Sequence, residues 1–270
     1  WMIALVLLLA APLTQARPPI LCQRSRIPTR FHVHTSQRHI SRVARLRQRA
    51  GHGDLAGKFD KSSFVQNDMR KAAMKLHTRD QAKEGEQKTQ KPISQWEMSM
   101  SSILRFLVDS KVIHDTLDDI AASYSELSTL NDVSTEIRRG RNIEKDITQI
   151  LHENPELNRP EPGKDALGYA ESLRSLAGES VPAFVCHFYN THFAHAAGGR
   201  MIGKLIADKN FNGRTLEFYK YNGEPKELLE DVRKEIDVLA TNWDEEGREN
   251  CLSETANAFK GAGTVLQNLK

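Results

Sequence analysis

Residues 180–207 read SVPAFVCHFYNTHFAHAAGGRMIGKLIA. Ser180 is a residue type whose hydroxyl caps a helix N-terminus, and Pro182 suits a first turn, where a missing N–H costs nothing. Almost everything that follows is apolar or small, and the spacing predicts one long helix from Val181 to about Ala207. Gly198 and Gly199 sit inside it, where each glycine costs about 1 kcal/mol relative to alanine. A double glycine is explained if the backbone must kink there or let a flat group come very close. It is equally explained if Ala194, Ala196, Ala197, Gly198 and Gly199 form a small-residue surface for close helix packing.

The same periodicity extends in both directions. Upstream, Leu167, Ala170, Leu173 and Leu176 form a short helix that Gly178 is expected to stop, after a loop marked by Pro155, Pro160, Pro162 and Gly163. Val133, Ile137, Ile147, Ile150 and Leu151 share one helical face, as do Ile103, Leu107, Leu117, Ile120 and Tyr124 with Ile113 bridging the gap. Phe64, Met69, Ala72, Ala73 and Leu76 form the first face. Downstream, Asn212-Gly213 turns the chain and LEFYKYNGEP (216–225) connects. Pro225 opens a helix bearing Leu228, Leu229, Val232, Ile236, Leu239 and Trp243, and a last helix covers Glu245 to Leu269. No segment alternates as a strand does. The expectation is a single all-α domain over 59–270.

The 270 residues are 39% hydrophobic and 27% charged, which excludes disordered and collagen-like classes. Their net charge of +3 hides an asymmetry. Residues 1–53 hold nine arginines and no acid, so of the 38 bases and 35 acids the remainder keeps 29 bases against 35 acids, a net −6. Met2–Leu13 is an apolar run of signal-peptide length, too short for a transmembrane helix, and Thr14-Gln15-Ala16 offers a cleavage site. No basic segment precedes it. Residues 1–16 are thus signal-peptide-like, and the Arg-rich, acid-free residues 17–58 have transit-peptide composition. Together they fit a bipartite address to a plastid enclosed by extra membranes. A secreted protein with a basic arm, or a nucleic-acid-binding arm, fits the same composition. The three cysteines (22, 186 and 251) can make neither a disulfide framework nor a four-cysteine zinc site.

Several chemistries fail on spacing. Beyond the leader the histidines are 77, 114, 152, 187, 192 and 195, and none has Glu three residues earlier, so a ferritin-like di-metal bundle is excluded. No phosphate-binding P-loop and no G-x-S-x-G elbow occurs. His192 and His195 share a helix face, but only Cys186 among other ligand types lies near. His77, in KLHTRDQAKEGE (75–86), adjoins core-facing Leu76 and reads either as a boundary histidine or as a ligand.

Taken in order, AAMKLHTRDQAKEGE (72–86), ILRFLVDSKVIHDTL (103–117), FVCHFYNTHFAHAAGGRMIG (184–203), LEFYKYNGE (216–224) and WDEEGRENCLSETANAFKGAG (243–263) resemble the plant and algal plastid haem oxygenases. The resemblance spans essentially all of residues 60–270. It implies an all-α fold with haem between a proximal and a distal helix. It also implies cleavage of haem by O2 to biliverdin IXα, CO and ferrous iron, with electrons from reduced ferredoxin, supplying bilin chromophore synthesis in the plastid stroma. A bilin reductase would act downstream, with no nucleic-acid partner and no membrane span in the mature chain. The alternative is a haem- or bilin-binding regulator without turnover.

By this resemblance His77 matches the proximal haem-iron ligand, a role suited to a neutral imidazole. Gly198 and Gly199 match the distal glycines beside the haem face, and His195 stands where animal and bacterial relatives have an aspartate. Arg70, Tyr189 and Arg233 match residues that hold the propionates, with Lys71 a lesser option. His187 is expected to support the distal helix and Phe259 to wall the pocket. Ala196 replaces a serine of the plant pattern, removing one hydroxyl. Docking of an acidic ferredoxin on an acidic body needs a local basic patch, for which Lys71, Lys75, Arg79, Lys83, Lys204 and Lys209 are the candidates.

Overall fold

The computed structural model describes residues 62–76 and 93–270, which are helical almost throughout and contain no strand. The leader, together with His77, Arg79 and Lys83, lies outside the described residues. Helix α1 covers residues 64–76 and begins with a π-helical turn, Val65–Met69. After a 3-10 turn at Ile93–Gln95 come α2 (Met100–Ser123), α3 (Ser128–Val133), α4 (Gly140–Glu153) and α5 (Lys164–Glu179). Then follow α6 (Val181–Ala194), α7 (Arg200–Asn210), α8 (Pro225–Ala240), α9 (Glu245–Ser253) and α10 (Thr255–Thr264), with a final 3-10 turn at Val265–Leu269.

Helix α6 is the axis. Every residue from Ala183 to Ala194 is buried, as expected of a helix apolar on all sides. It packs against α5, α9 and α10, while α2 packs against α4, α5 and the C-terminal 3-10 turn. Helix α1 lies against α8 and α9. Ser180 caps α6 as its residue type predicts, its hydroxyl accepting the Ala183 N–H at 3.3 Å. Phe184 and Phe188 are fully buried, each contributing about 1.5–3 kcal/mol of transfer free energy.

Five sequence expectations are corrected. The long helix from Val181 is continuous but carries a π-helical turn at His195–Gly199 that divides α6 from α7. Gly178 does not stop α5, which runs on to Glu179 and ends where Ser180 starts the next cap. The buried stripe of α5 is Ala166, Ala170, Leu173 and Ala177, leaving Leu167 exposed. The segment from Val133 to Leu151 and the last helix are each interrupted. Arg138 is extended before α4, where the Arg139 guanidinium folds back to donate to the Ile137 and Glu136 carbonyls at 2.9 and 2.7 Å. Glu254 separates α9 from α10.

At Asn212-Gly213 the structure follows the expected turn. Both residues have positive φ, 50° and 83°, and the Gly213 N–H donates to the Ala207 carbonyl at 3.0 Å, closing α7.

Candidate functional site

The π-helical turn at His195–Gly199 inserts a wide turn where the two glycines stand. A Cβ on Gly199 would lie 3.1 Å from Nδ1 of His195, so the glycine lets that ring tuck against the helix backbone. The other edge of the ring is fixed too. Nε2 of His195 lies 2.9 Å from the Phe218 carbonyl oxygen, and since a carbonyl only accepts, Nε2 carries the proton. The ring stacks on Phe218 with centroids 4.1 Å apart and 16° between planes. Burial pushes its pKa down to about 3, against the opposing pull of the Phe218 carbonyl, so His195 is neutral across the physiological range.

Phe218 is itself held from α4. The buried carboxylate of Asp146 accepts the backbone N–H groups of Glu217 and Phe218 at 2.8 and 2.7 Å, pinning the 3-10 turn Glu217–Tyr219 beneath the distal helix. Burial raises the Asp146 pKa to about 6, and the two hydrogen bonds limit the rise. Gly203 on α7 completes the contact, since a Cβ there would come within 2.5 Å of the Tyr219 ring.

A cavity of about 60 Å³ opens between these elements, walled by Phe106, Ile113, His114, Thr191, His195 and Gly199 among others. Phe259, expected as a wall, is half-buried and is not part of this lining. Ala196 is buried.

On α6, Tyr189 packs at a tilt of 34° on Phe193 with centroids 4.0 Å apart, and the Arg233 guanidinium lies 4.7 Å above the Phe193 ring. Arg233 also donates to Glu230 at 3.0 Å. Burial raises the Tyr189 pKa, while the charges of Arg233 and Arg70 act in the opposite direction. Arg233 reaches the Tyr189–Phe193 pair from α8, and the charge of Arg70 on α1 acts on the Tyr189 phenol. Lys71 is exposed on α1.

His187 supports the distal helix through both ring nitrogens. Tyr169 is 2.7 Å from its Nδ1 and Glu254 is 3.0 Å from its Nε2, tying α6 to α5 and to the α9–α10 junction. Sequence reasoning passed over Tyr169, Asp146, Arg139 and His114. His114 had a signal, being a histidine placed inside an apolar α2 stripe; Asp146 had none, because its partners are backbone N–H groups 71 and 72 residues away.

The chain is 39% identical over 212 residues to "Heme oxygenase 1, chloroplastic" of Arabidopsis thaliana, a match covering 77% of this chain and 74% of the relative. The chain belongs to the haem oxygenase family. A second Arabidopsis thaliana relative of this haem oxygenase, "Probable inactive heme oxygenase 2, chloroplastic", is 37% identical over 172 residues, 64% of this chain and 57% of that protein. Among solved structures, haem oxygenase-1 from the cyanobacterium Synechocystis, in complex with heme, shares the fold. Its TM-score is 0.59 at 15% identity, over 75% of this chain and 90% of that one. No family model matches the chain. The all-α haem oxygenase fold expected from the sequence is the one found.

Proposed function

We propose that this haem oxygenase is active, cleaving haem with O2 to biliverdin IXα, CO and Fe2+, with electrons from reduced ferredoxin, in the plastid stroma and in supply of bilin chromophore synthesis. Haem is both substrate and cofactor: its iron activates O2 and its ring is opened. The observation that carries the reading is Arg233 set against the Tyr189–Phe193 pair of α6, the helix that runs on into the glycine-bearing π-turn, in a chain of this family.

Each group has a task its chemistry suits. The Arg233 guanidinium beside the buried Tyr189 phenol, with the charge of Arg70 acting on the same phenol, suits paired carboxylates, and Phe193 offers the apolar face beside it. His77 would hold the iron, Gly198 and Gly199 leave the distal face clear of side chains, and neutral His195 orders the distal helix through Phe218. With its Nε2 bound to a backbone carbonyl, His195 acts as a positioning residue. Excluding bulk water matters as much, and the buried aromatic shelf of Phe218 and Tyr219 does this on one side.

For the electron donor, the candidate patch narrows. Lys209 donates to the carbonyls of Ser94 and Trp96 at 2.9 and 2.7 Å, and Lys204 pairs with Asp208 at 2.8 Å. Lys71 and Lys75 are exposed on α1 and remain candidates for docking an acidic ferredoxin; Arg79 and Lys83 lie outside the described residues.

The second reading, a haem- or bilin-binding regulator without turnover, is favoured by the relative named as probably inactive. Haem titration followed by reduced ferredoxin and O2 separates the two. The active reading expects a Soret band that decays as biliverdin and CO form. A stable Soret band without either product would establish the regulator.

A further inference from the structure

Helix α1 is held at its first residues by a carboxylate from another element. Asp237 of α8 accepts the Ser63 hydroxyl on Oδ2 at 2.7 Å and the Val65 N–H on Oδ1 at 2.9 Å, although 174 and 172 residues separate the partners. The Ser63 hydroxyl oxygen accepts the Gln66 N–H at 3.0 Å, as an N-cap serine does. Beside them Phe64 meets Trp243 edge to face with centroids 5.8 Å apart, and the Arg248 guanidinium lies 5.4 Å over the Phe64 ring. Ser63, Phe64 and Val65 are all buried, so this end of α1 is docked on the body of the protein.

Directly after Phe64 comes the π-helical turn Val65–Met69. A π-turn takes up one residue more than an α-helical turn, which rotates everything downstream by about 100° around the axis. In the result Met69 is buried, while Arg70 and Lys71 are exposed. Sliding the chain by one residue at Ser63 would undo that choice of face, and the two bonds to Asp237 prevent it. Arg233 stands one helical turn before Asp237 on α8 and lies against the Phe193 ring. One rigid helix thus reaches α1 with one side chain and the Tyr189–Phe193 pair of α6 with another. From Val65 to Leu76 α1 runs about 16 Å, and His77 is the next residue of the chain.

We propose that Asp237 is a positioning residue for the haem site: by holding Ser63 and Val65 it fixes where α1 lies against α6, and so where the far end of α1 stands. The consequence for haem rests on the reading of His77 as the iron ligand. A displacement of about 1 Å at a reacting centre costs on the order of a hundredfold in rate, so an anchor at the opposite end of the helix matters to the chemistry.

The test begins on the haem-free full chain. Asp237→Ala removes both acceptors, while Asp237→Asn keeps a carbonyl for the Val65 N–H and a side-chain amide beside the Ser63 hydroxyl. Amide hydrogen exchange is followed along α1 at a temperature where circular dichroism shows each variant fully folded. Asp237→Ala should raise exchange on the order of tenfold along α1 as far as residues 70–76, with α6 unchanged. Asp237→Asn should stay within about threefold of the native chain, since Asn and Asp cap helices almost equally well. A rise confined to residues 65–67 would make Asp237 a local cap only and overturn the proposal. With haem added, Asp237→Ala should bind on the order of tenfold more weakly, and the iron–histidine stretching band of the ferrous complex should shift or broaden in resonance Raman spectra. Asp237→Asn should restore both. Native affinity together with a native band in Asp237→Ala would also overturn the proposal. If the native chain gives no iron–histidine band, the ligand reading of His77 fails, while the exchange measurement still decides whether Asp237 holds α1. Should Asp237→Ala not fold, Ser63→Ala takes its place under the same criteria.

Discussion

At His77 and Gly203, single atoms carry the argument. If His77 holds the haem iron as proposed, His77→Ala should weaken the Soret complex and reduce turnover at least a hundredfold, with recovery on adding imidazole. Undiminished turnover would remove His77 from that role. At Gly203 the constraint is steric: a Cβ 2.5 Å from the Tyr219 ring must displace it. Gly203→Ala should therefore cost about 1–3 kcal/mol by chemical denaturation, the usual range for overpacking. Gly213, with nothing within 4 Å of a Cβ, is held by its φ of 83° alone and is the control for backbone strain. Both lines were open at very different levels to the sequence. His77 stands in a motif; Gly203 looked like one more small residue of an apolar run.

Elements here are held by contacts their own residues do not announce. The 3-10 turn Glu217–Tyr219 has no side-chain cap of its own and relies on Asp146 of α4 for two hydrogen bonds. Asp146→Asn keeps the shape but turns one acceptor into a donor facing an N–H. We expect a loss of about 1–3 kcal/mol in urea unfolding, together with a change in the His195 ring signals, since Phe218 holds that ring. A stable variant with unchanged His195 signals would show the turn to be self-supporting. Helix α5 shows how nearly equal two faces of one helix can be in the sequence. The stripes 167/170/173/176 and 166/170/173/177 share two positions, and the larger leucines favoured the first. Close packing of α5 on α2 and α6 selects the second, with its alanines.

For the molecule as a whole, the concentration of buried histidine sets the acid response. His114, His187, His192 and His195 all have pKa values lowered chiefly by burial, to about 3 for His192 and His195. Unfolded, each would bind a proton near its ordinary value of about 6.5. Between about 3 and about 6.5 the unfolded chain thus holds more protons, and stability rises with pH. Asp118 and Asp146, raised to about 7 and about 6, act oppositely: they favour the folded state at low pH and lose that contribution as pH climbs through those values. Four histidines outweigh two carboxyls, so the thermal midpoint should fall as pH drops from about 6.5 towards about 4. His192→Phe should flatten the slope. An acid-insensitive midpoint would mean that these imidazoles are hydrated and charged in the folded state.

The sequence by itself determined the helical class, the placement of most helices, the Asn212-Gly213 turn and the cap at Ser180. Each follows from periodicity or from a residue type acting on its own neighbours. It also singled out the glycine pair at which the π-turn forms. The tertiary structure alone decided that the long helix passes through a π-turn, that α5 buries alanines, and that His195 donates a hydrogen bond to the carbonyl of Phe218, whose turn Asp146 holds. Those features depend on contacts between residues 23 to 72 positions apart, and on which of two nearly equal faces meets a neighbour. Local pattern carries no information about such pairings, because their energies exist only once the helices are packed.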